Sequence, residues 1–195
     1  MPDDPKRRGP TRAAELTELE GCVLGVVWDQ GPCTAYSIRR VFASSPSPHW
    51  TGSAGAIYPL VRRLRTRGLL ESGDHPAGPD RGQTCRLTPR GRRALRSWLA
   101  PPFPDWAVGV PVDPLRTRLR FLAALSPAGR ARFLGEAERK LREHIAEVRR
   151  DYRRRLAESD RFDWLMARGA LRMLRARLDW LREVSLELKK DPNHR

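Results

Sequence analysis

Ser53-Ala54-Gly55-Ala56-Ile57-Tyr58-Pro59-Leu60-Val61-Arg62-Arg63-Leu64-Arg65-Thr66-Arg67-Gly68 is the stretch on which the fold turns. Ala54, Ile57, Val61 and Leu64 recur at spacings of 3, 4 and 3 residues, which gives a helix one apolar face. Ser53 is placed to cap its start and Gly68 to end it in a left-handed turn. The opposite face carries Gly55, Tyr58, Pro59, Arg62, Arg63, Arg65 and Arg67, with no acidic residue among them. Small residues near the start permit close approach to a surface, Tyr58 offers a flat ring and a hydroxyl, and the arginines offer forked donors. Laid into a major groove, such a helix would aim its first half at base edges and its arginines at bases or phosphates. Pro59 stands out. In a helix interior it forfeits a backbone bond at a cost of about 3 kcal/mol, so the pattern predicts a bend there or a position kept for something other than stability.

Upstream, Thr17-Glu18-Leu19-Glu20 fits a capping box, and Leu19, Cys22, Val23, Val26 and Val27 follow at helical spacing until Gly31-Pro32, which predicts a helix ending near Trp28. A second helix is predicted from Thr34 through Phe42, with Ile38, Val41 and Phe42 on its buried side. Ser45-Pro46-Ser47-Pro48 ends it, leaving His49 and Trp50 in a connecting loop. Downstream, Leu69–Ser72 and Thr84–Leu87 read as the strands of a hairpin around a Gly- and Pro-rich loop at 73–82. Thr88-Pro89 then starts a fourth helix that runs to about Leu99. Three helices, two strands and a helix over residues 16–100 are the order of a winged helix-turn-helix. Arg81 sits near the tip of the wing, where a backbone phosphate would pass. Residues 1–15, with Lys6, Arg7, Arg8 and Arg12, read as a flexible basic arm.

At these positions the chain resembles the PadR family of bacterial transcriptional regulators. The resemblance is carried by Leu16-Thr17-Glu18-Leu19-Glu20 with Val23-Leu24-Gly25, by Thr34-Ala35-Tyr36-Ser37-Ile38, and most specifically by Ser53 to Leu60 continuing through Arg62-Arg63-Leu64 and Gly68-Leu69-Leu70. Leu87-Thr88-Pro89-Arg90-Gly91 closes it. The resemblance implies that Tyr58 and Pro59 lie on a DNA-contacting face and that the helical C-terminal part is a dimerisation arm near which effectors bind. In the wing the sequence departs from the family pattern: Arg81-Gly82-Gln83-Thr84-Cys85 keeps one arginine and puts Cys85 where an aromatic residue is usual. The candidate DNA-contacting residues are therefore Tyr36, Ser53, Gly55, Tyr58, Pro59, Arg62, Arg63, Arg65 and Arg81.

Prolines punctuate residues 101–113 and mark a linker, after which 114–190 read as helical: a short helix ending near Leu125, a second from Pro127 to about Glu158 and a last from about Phe162 to Lys190. On the last, Trp164, Ala167, Leu171, Leu174, Leu178, Leu181, Ser185 and Leu188 alternate spacings of 3 and 4, a coiled-coil-like seam. A second stripe of Met173, Trp180 and Val184 widens the face, so one stripe is expected on the chain's own long helix and the other on a second subunit. Leu171, Leu174, Leu178, Leu181 and Leu188 are taken for dimerisation. The fold class is thus mainly α with a small β-hairpin, a winged helix-turn-helix joined to a helical dimerisation arm.

The formal net charge is +15, with 16 basic against 9 acidic residues in 1–100 and 21 against 11 in 114–190. Such an excess favours a polyanionic partner, although 34 of the 38 basic residues are arginine, which a general compositional bias also produces. Cys22, Cys33 and Cys85 lack metal-ligand spacing and the 4 histidines do not cluster with them, so no metal or cofactor is expected and the thiols point to a reducing, cytoplasmic compartment. Cys33, at a helix start, is the one thiol whose pKa that position would lower. No apolar run approaches the roughly 18 residues of a membrane span, and the basic N-terminus lacks the apolar core of a secretory signal. No nucleophile–base pair, phosphate-cradling glycine loop or metal motif speaks for an enzyme. Expected partners are double-stranded DNA, a second copy of the chain and a small-molecule effector, with Trp106, Trp164 and Trp180 as candidate pocket walls. The function expected is a repressor binding an inverted-repeat operator; the alternative is a non-specific basic nucleic-acid binder.

Overall fold

Thr17 opens the first helix as a complete capping box: its hydroxyl accepts from the Glu20 amide at 3.3 Å and its own amide donates to the Glu20 carboxylate at 3.0 Å. In the computed structural model, which describes residues 16–45, 47–74, 83–156 and 161–190, this helix, α1, runs Glu18–Gln30. It ends two residues beyond the expected stop, at Gly31 with a φ of 71°. The two residues Cys33–Thr34 then form β1, and Thr34 caps α2, Ala35–Ala43, by accepting from the Ser37 amide. The expected loop at His49 and Trp50 is instead a short helix, α3, Pro48–Ser53. Trp50 stacks on the buried ring of Phe42 with centroids 4.6 Å apart, so the connection is drawn into the core rather than left outside it.

A tight 3-10 turn, Ala54–Ala56, separates α3 from α4, Ile57–Thr66. Ser53 therefore does not cap α4; its hydroxyl donates to the His49 carbonyl at 2.7 Å, within α3. The later start also removes the difficulty with Pro59. It occupies the third position of α4, where a backbone N–H would have no partner inside the helix, so its missing donor costs almost nothing. Gly68, φ 67°, closes the helix: its amide donates to the Arg65 carbonyl and that of Leu69 to Leu64, the paired bonds that left-handed helix ends make.

Strands β2, Leu70–Gly73, and β3, Thr84–Leu87, pair antiparallel, with Glu71 opposite Arg86 in an ion pair of 2.9 Å. The sheet has three strands rather than the two expected, because β1 pairs with β3 on its other side, Cys33 opposite Cys85, in the order β1-β3-β2. Helix α5, Pro89–Leu99, follows. Thr88 accepts from the Gly91 amide at its start while donating to the Gly68 carbonyl at 2.7 Å, which ties α5 to the end of α4. One core joins these elements: Val23, Leu24 and Val27 of α1, Ile38 and Phe42 of α2, Ile57, Leu60, Val61 and Leu64 of α4, with Cys85, Leu87 and Leu95. In the segment expected as a linker, Asp105–Val108 form a short helix, α6.

The chain divides into two compact units, one ending at Ala107 and the other beginning at Val108. The second contains α7, Pro114–Leu119, a 3-10 turn at Leu122–Ala124, and two long helices, α8, Pro127–Leu156, and α9, Arg161–Lys190. Asp113 caps α7 and receives Arg177 of α9 at 2.8 Å. Leu134, Leu141, Ile145 and Val148 of α8 bury Leu171, Leu178 and Leu181 of α9, with Leu174 and Leu188 packed at the margin. Of the residues taken for dimerisation, Leu171, Leu178 and Leu181 are buried against α8 within the chain, and Leu174 and Leu188 are partly buried there.

A methyl added at Gly91 would come within 2.0 Å of the Leu69 carbonyl oxygen, a backbone atom that cannot step aside. Gly91→Ala is expected to lose roughly 1–3 kcal/mol of stability in urea unfolding. Leu178→Asp, which puts a carboxylate into the α8–α9 core, is expected to cost at least roughly 3 kcal/mol and to lower the helical circular dichroism of the second unit, not merely to separate subunits.

Candidate nucleic-acid interface

Burial of Ile57, Leu60, Val61 and Leu64 sets which way the rest of α4 faces. Gly55, Tyr58, Pro59 and Arg62 are exposed, Tyr58 at 47%. These four, expected to act together, do share the solvent side of the 3-10 turn and the first six residues of α4. The guanidinium of Arg62 has no partner among the described residues. Tyr36, in the first turn of α2, is also exposed, at 58%.

The two other predicted arginines of α4 behave differently. Arg65 is half-buried and turns toward β3, donating to Gln83 Oε1 at 3.3 Å, to the Thr84 carbonyl at 3.5 Å and to Cys85 Sγ at 3.3 Å. The Cys85 departure from the family pattern is thereby absorbed in packing: a small buried thiol leaves room for a guanidinium beside it. Arg63 turns to the other flank, where its Nε donates to Glu20 Oε1 at 3.2 Å, and Arg67 reaches the same oxygen at 2.8 Å. Ser53 is half-buried and its hydroxyl is engaged in α3. Arg81 lies outside the described residues, as does the basic arm 1–15.

Glu20 is the residue that sequence reading missed. Its side chain is 4% exposed. Burial alone would raise its pKa, but the Thr17 amide and the guanidiniums of Arg67 and Arg63 outweigh it and hold the carboxyl below its ordinary value. The capping box signalled only its local role. That it also receives two cations, Arg63 of α4 and Arg67 at its C-terminal cap, required knowing that α1 lies along that flank. The α4 surface is acid-free in sequence but not in space.

Cys33 corrects another expectation. Although it precedes a helix, burial and then the neighbouring Cys85 push its pKa up to about 11, and burial with Glu18 does the same for Cys22. Both are protonated packing residues at neutral pH. No group of three or more metal-type ligands occurs among the described residues, and no described helix is long and apolar enough to cross a membrane. Trp164 and Trp180, both on α9, do not share one pocket. Trp164 carries Arg168 over its ring at 5.0 Å, while Trp180, sixteen residues along the same helix and so about 24 Å away, packs on the α8–α9 core.

Comparison with known proteins agrees with this architecture in both units. Residues 23–97 match the transcriptional regulator PadR-like family, and residues 113–189 match the virulence activator alpha C-terminal domain. A search of curated protein sequences finds no match. Among solved structures, Bacillus subtilis PadR in complex with operator DNA superposes with a TM-score of 0.71 at 19% identity, covering 90% of this chain and 98% of that one. The same protein in complex with p-coumaric acid gives 0.71 at 19% identity, covering 94% and 99%. The Vibrio cholerae virulence activator AphA gives 0.69 at 21% identity, covering 89% and 99%. With a PadR-like DNA-binding domain followed by the C-terminal domain of the virulence activators, the chain belongs to the PadR-like family of transcriptional regulators, a family of DNA-binding proteins rather than enzymes.

Proposed function

We propose that this regulator is a repressor that binds an inverted-repeat operator as a homodimer, inserting the outer face of α4 into the major groove of each half-site. The observation that carries the reading is the exposed face made by Gly55, Tyr58, Pro59 and Arg62, on which an outward guanidinium stands beside a ring and small residues that let the backbone come close. Tyr36 at the start of α2 is a supporting contact. Arg63 and Arg65, held by partners within the domain, are not placed in the reading surface.

Self-association is assigned to the side of α9 turned away from α8. Phe162, Met166, Gly169, Met173 and Ala176 recur there at spacings of 4, 3, 4 and 3 residues, and Phe162, Met166 and Met173 are each more than half exposed. An apolar stripe of that length on a charged helix is the pattern of a face buried in an oligomer. A two-fold pair of reading heads then requires two half-sites in inverted orientation. The p-coumaric acid complex of Bacillus subtilis PadR adds a small-molecule effector to the proposal; binding that favours one arrangement of the dimer would shift operator affinity by the same factor.

The test is the ratio of affinities for an inverted repeat from the protein's own promoter and for random duplex at fixed salt; a ratio near one would leave a non-specific binder. Tyr58→Ala and Arg62→Ala are each expected to weaken operator binding by roughly 1–3 kcal/mol in fluorescence anisotropy without altering the thermal unfolding curve. Met173→Asp, exposed within the chain, is expected to keep its helical content but sediment as a monomer.

A further inference from the structure

The four arginines at the end of the reading helix have three fates. Arg62 points outward, Arg65 is turned onto β3, and Arg63 and Arg67 converge on one carboxylate, that of Glu20, 43 residues before Arg63 in the chain. A cation adds to duplex affinity by displacing counterions from a phosphate. One whose charge is matched by a carboxylate adds little net positive potential at a phosphate, and one turned onto that carboxylate, as the exposed Arg63 is through its Nε, must be reoriented to present its full fork of donors. The Glu20 side chain is almost wholly shielded, and its other oxygen is already engaged by the Thr17 amide.

We infer that Glu20 is a specificity-determining residue of the DNA-reading head: it withholds Arg63 and Arg67 from the phosphate backbone. Random duplex then gains little from this flank of α4, and discrimination is left to Gly55, Tyr58, Pro59 and Arg62. The inference rests on the DNA-binding reading above and adds to it an internal restraint on sequence-independent affinity.

The experiment measures binding of the full chain to a random-sequence duplex by anisotropy, over about 50 to 200 mM salt, where the slope of log affinity against log salt counts phosphate contacts at about 0.9 each. Glu20→Gln keeps an oxygen for the Thr17 amide, since glutamine also serves a capping box, but removes the charge. It is expected to bind random duplex roughly ten-fold tighter at the low end and to steepen the slope by roughly 1–2. Adding Arg63→Ala to it should take back about half of that gain, and Glu18→Gln, which removes the same charge from the same turn without touching Arg63 or Arg67, should leave the slope unchanged. An unchanged slope in Glu20→Gln, or an equal effect of Glu18→Gln, overturns the inference while the DNA-binding reading stands. Arg63→Ala in the wild-type background tests it independently of how Glu20→Gln folds: a loss of about one phosphate's worth of slope would mean that Arg63 already contacts the backbone and that Glu20 withholds nothing. A wild-type chain without affinity for any duplex would remove reading and inference together.

Discussion

Packing of Ile57, Leu60, Val61 and Leu64 against α1, α2 and the sheet fixes the rotation of α4 about its own axis, and the first unit depends on that constraint. With one face committed, each remaining side chain of the helix has a determined direction. Arg65 falls toward β3, Arg63 and Arg67 fall toward α1, and the residues between them have nowhere to go but outward. The helix is thus held on both flanks by its own cations as well as by its apolar face. Such flank contacts are individually modest, and they add to the resistance to rolling that the buried apolar face already provides.

The second unit solves a different problem. Two thirty-residue helices of highly charged sequence must pair with few apolar residues per turn. Leucines and β-branched residues at alternating spacings supply the core of the pair, and Asp113 adds a cross-link from the start of α7 to Arg177. On the surface of α8, glutamates and arginines three and four residues apart neutralise one another, as Arg139 does with Glu136 and Glu143. Part of the cationic surface is therefore already answered within the chain, so the 38 basic residues overstate the free cations a polyanion would meet, while the net charge of +15 already includes these pairs.

Legibility followed range. The capping box of α1, the apolar face of α4, its Gly68 terminus, the two strands of the wing and the Thr88-Pro89 start of α5 are local signals, and each was readable from residues within a few positions of one another. Strand β1 was not, because two residues cannot display an alternation and Cys33–Thr34 is a strand only by virtue of lying beside β3. Helix α3 was hidden by serines and prolines that usually mark loops, although the same residues start helices well. The seam of α9 was found, but a period does not say whose helix it meets. Within the candidate site, Tyr58, Pro59 and Arg62 could be picked out from composition and spacing, whereas the engagement of Arg63 by Glu20 joins positions 43 apart and needs the fold itself.

Pro59 has a consequence for how such a protein changes over generations. Sitting in the opening turn of α4, it and its exposed neighbours Gly55 and Arg62 support nothing beneath them. Exchanges of an exposed side chain such as that of Arg62 usually alter stability by no more than about 0.5 kcal/mol. In the proposed reading role of this face, a descendant would acquire a new target by drift at a few exposed residues while its architecture is inherited untouched.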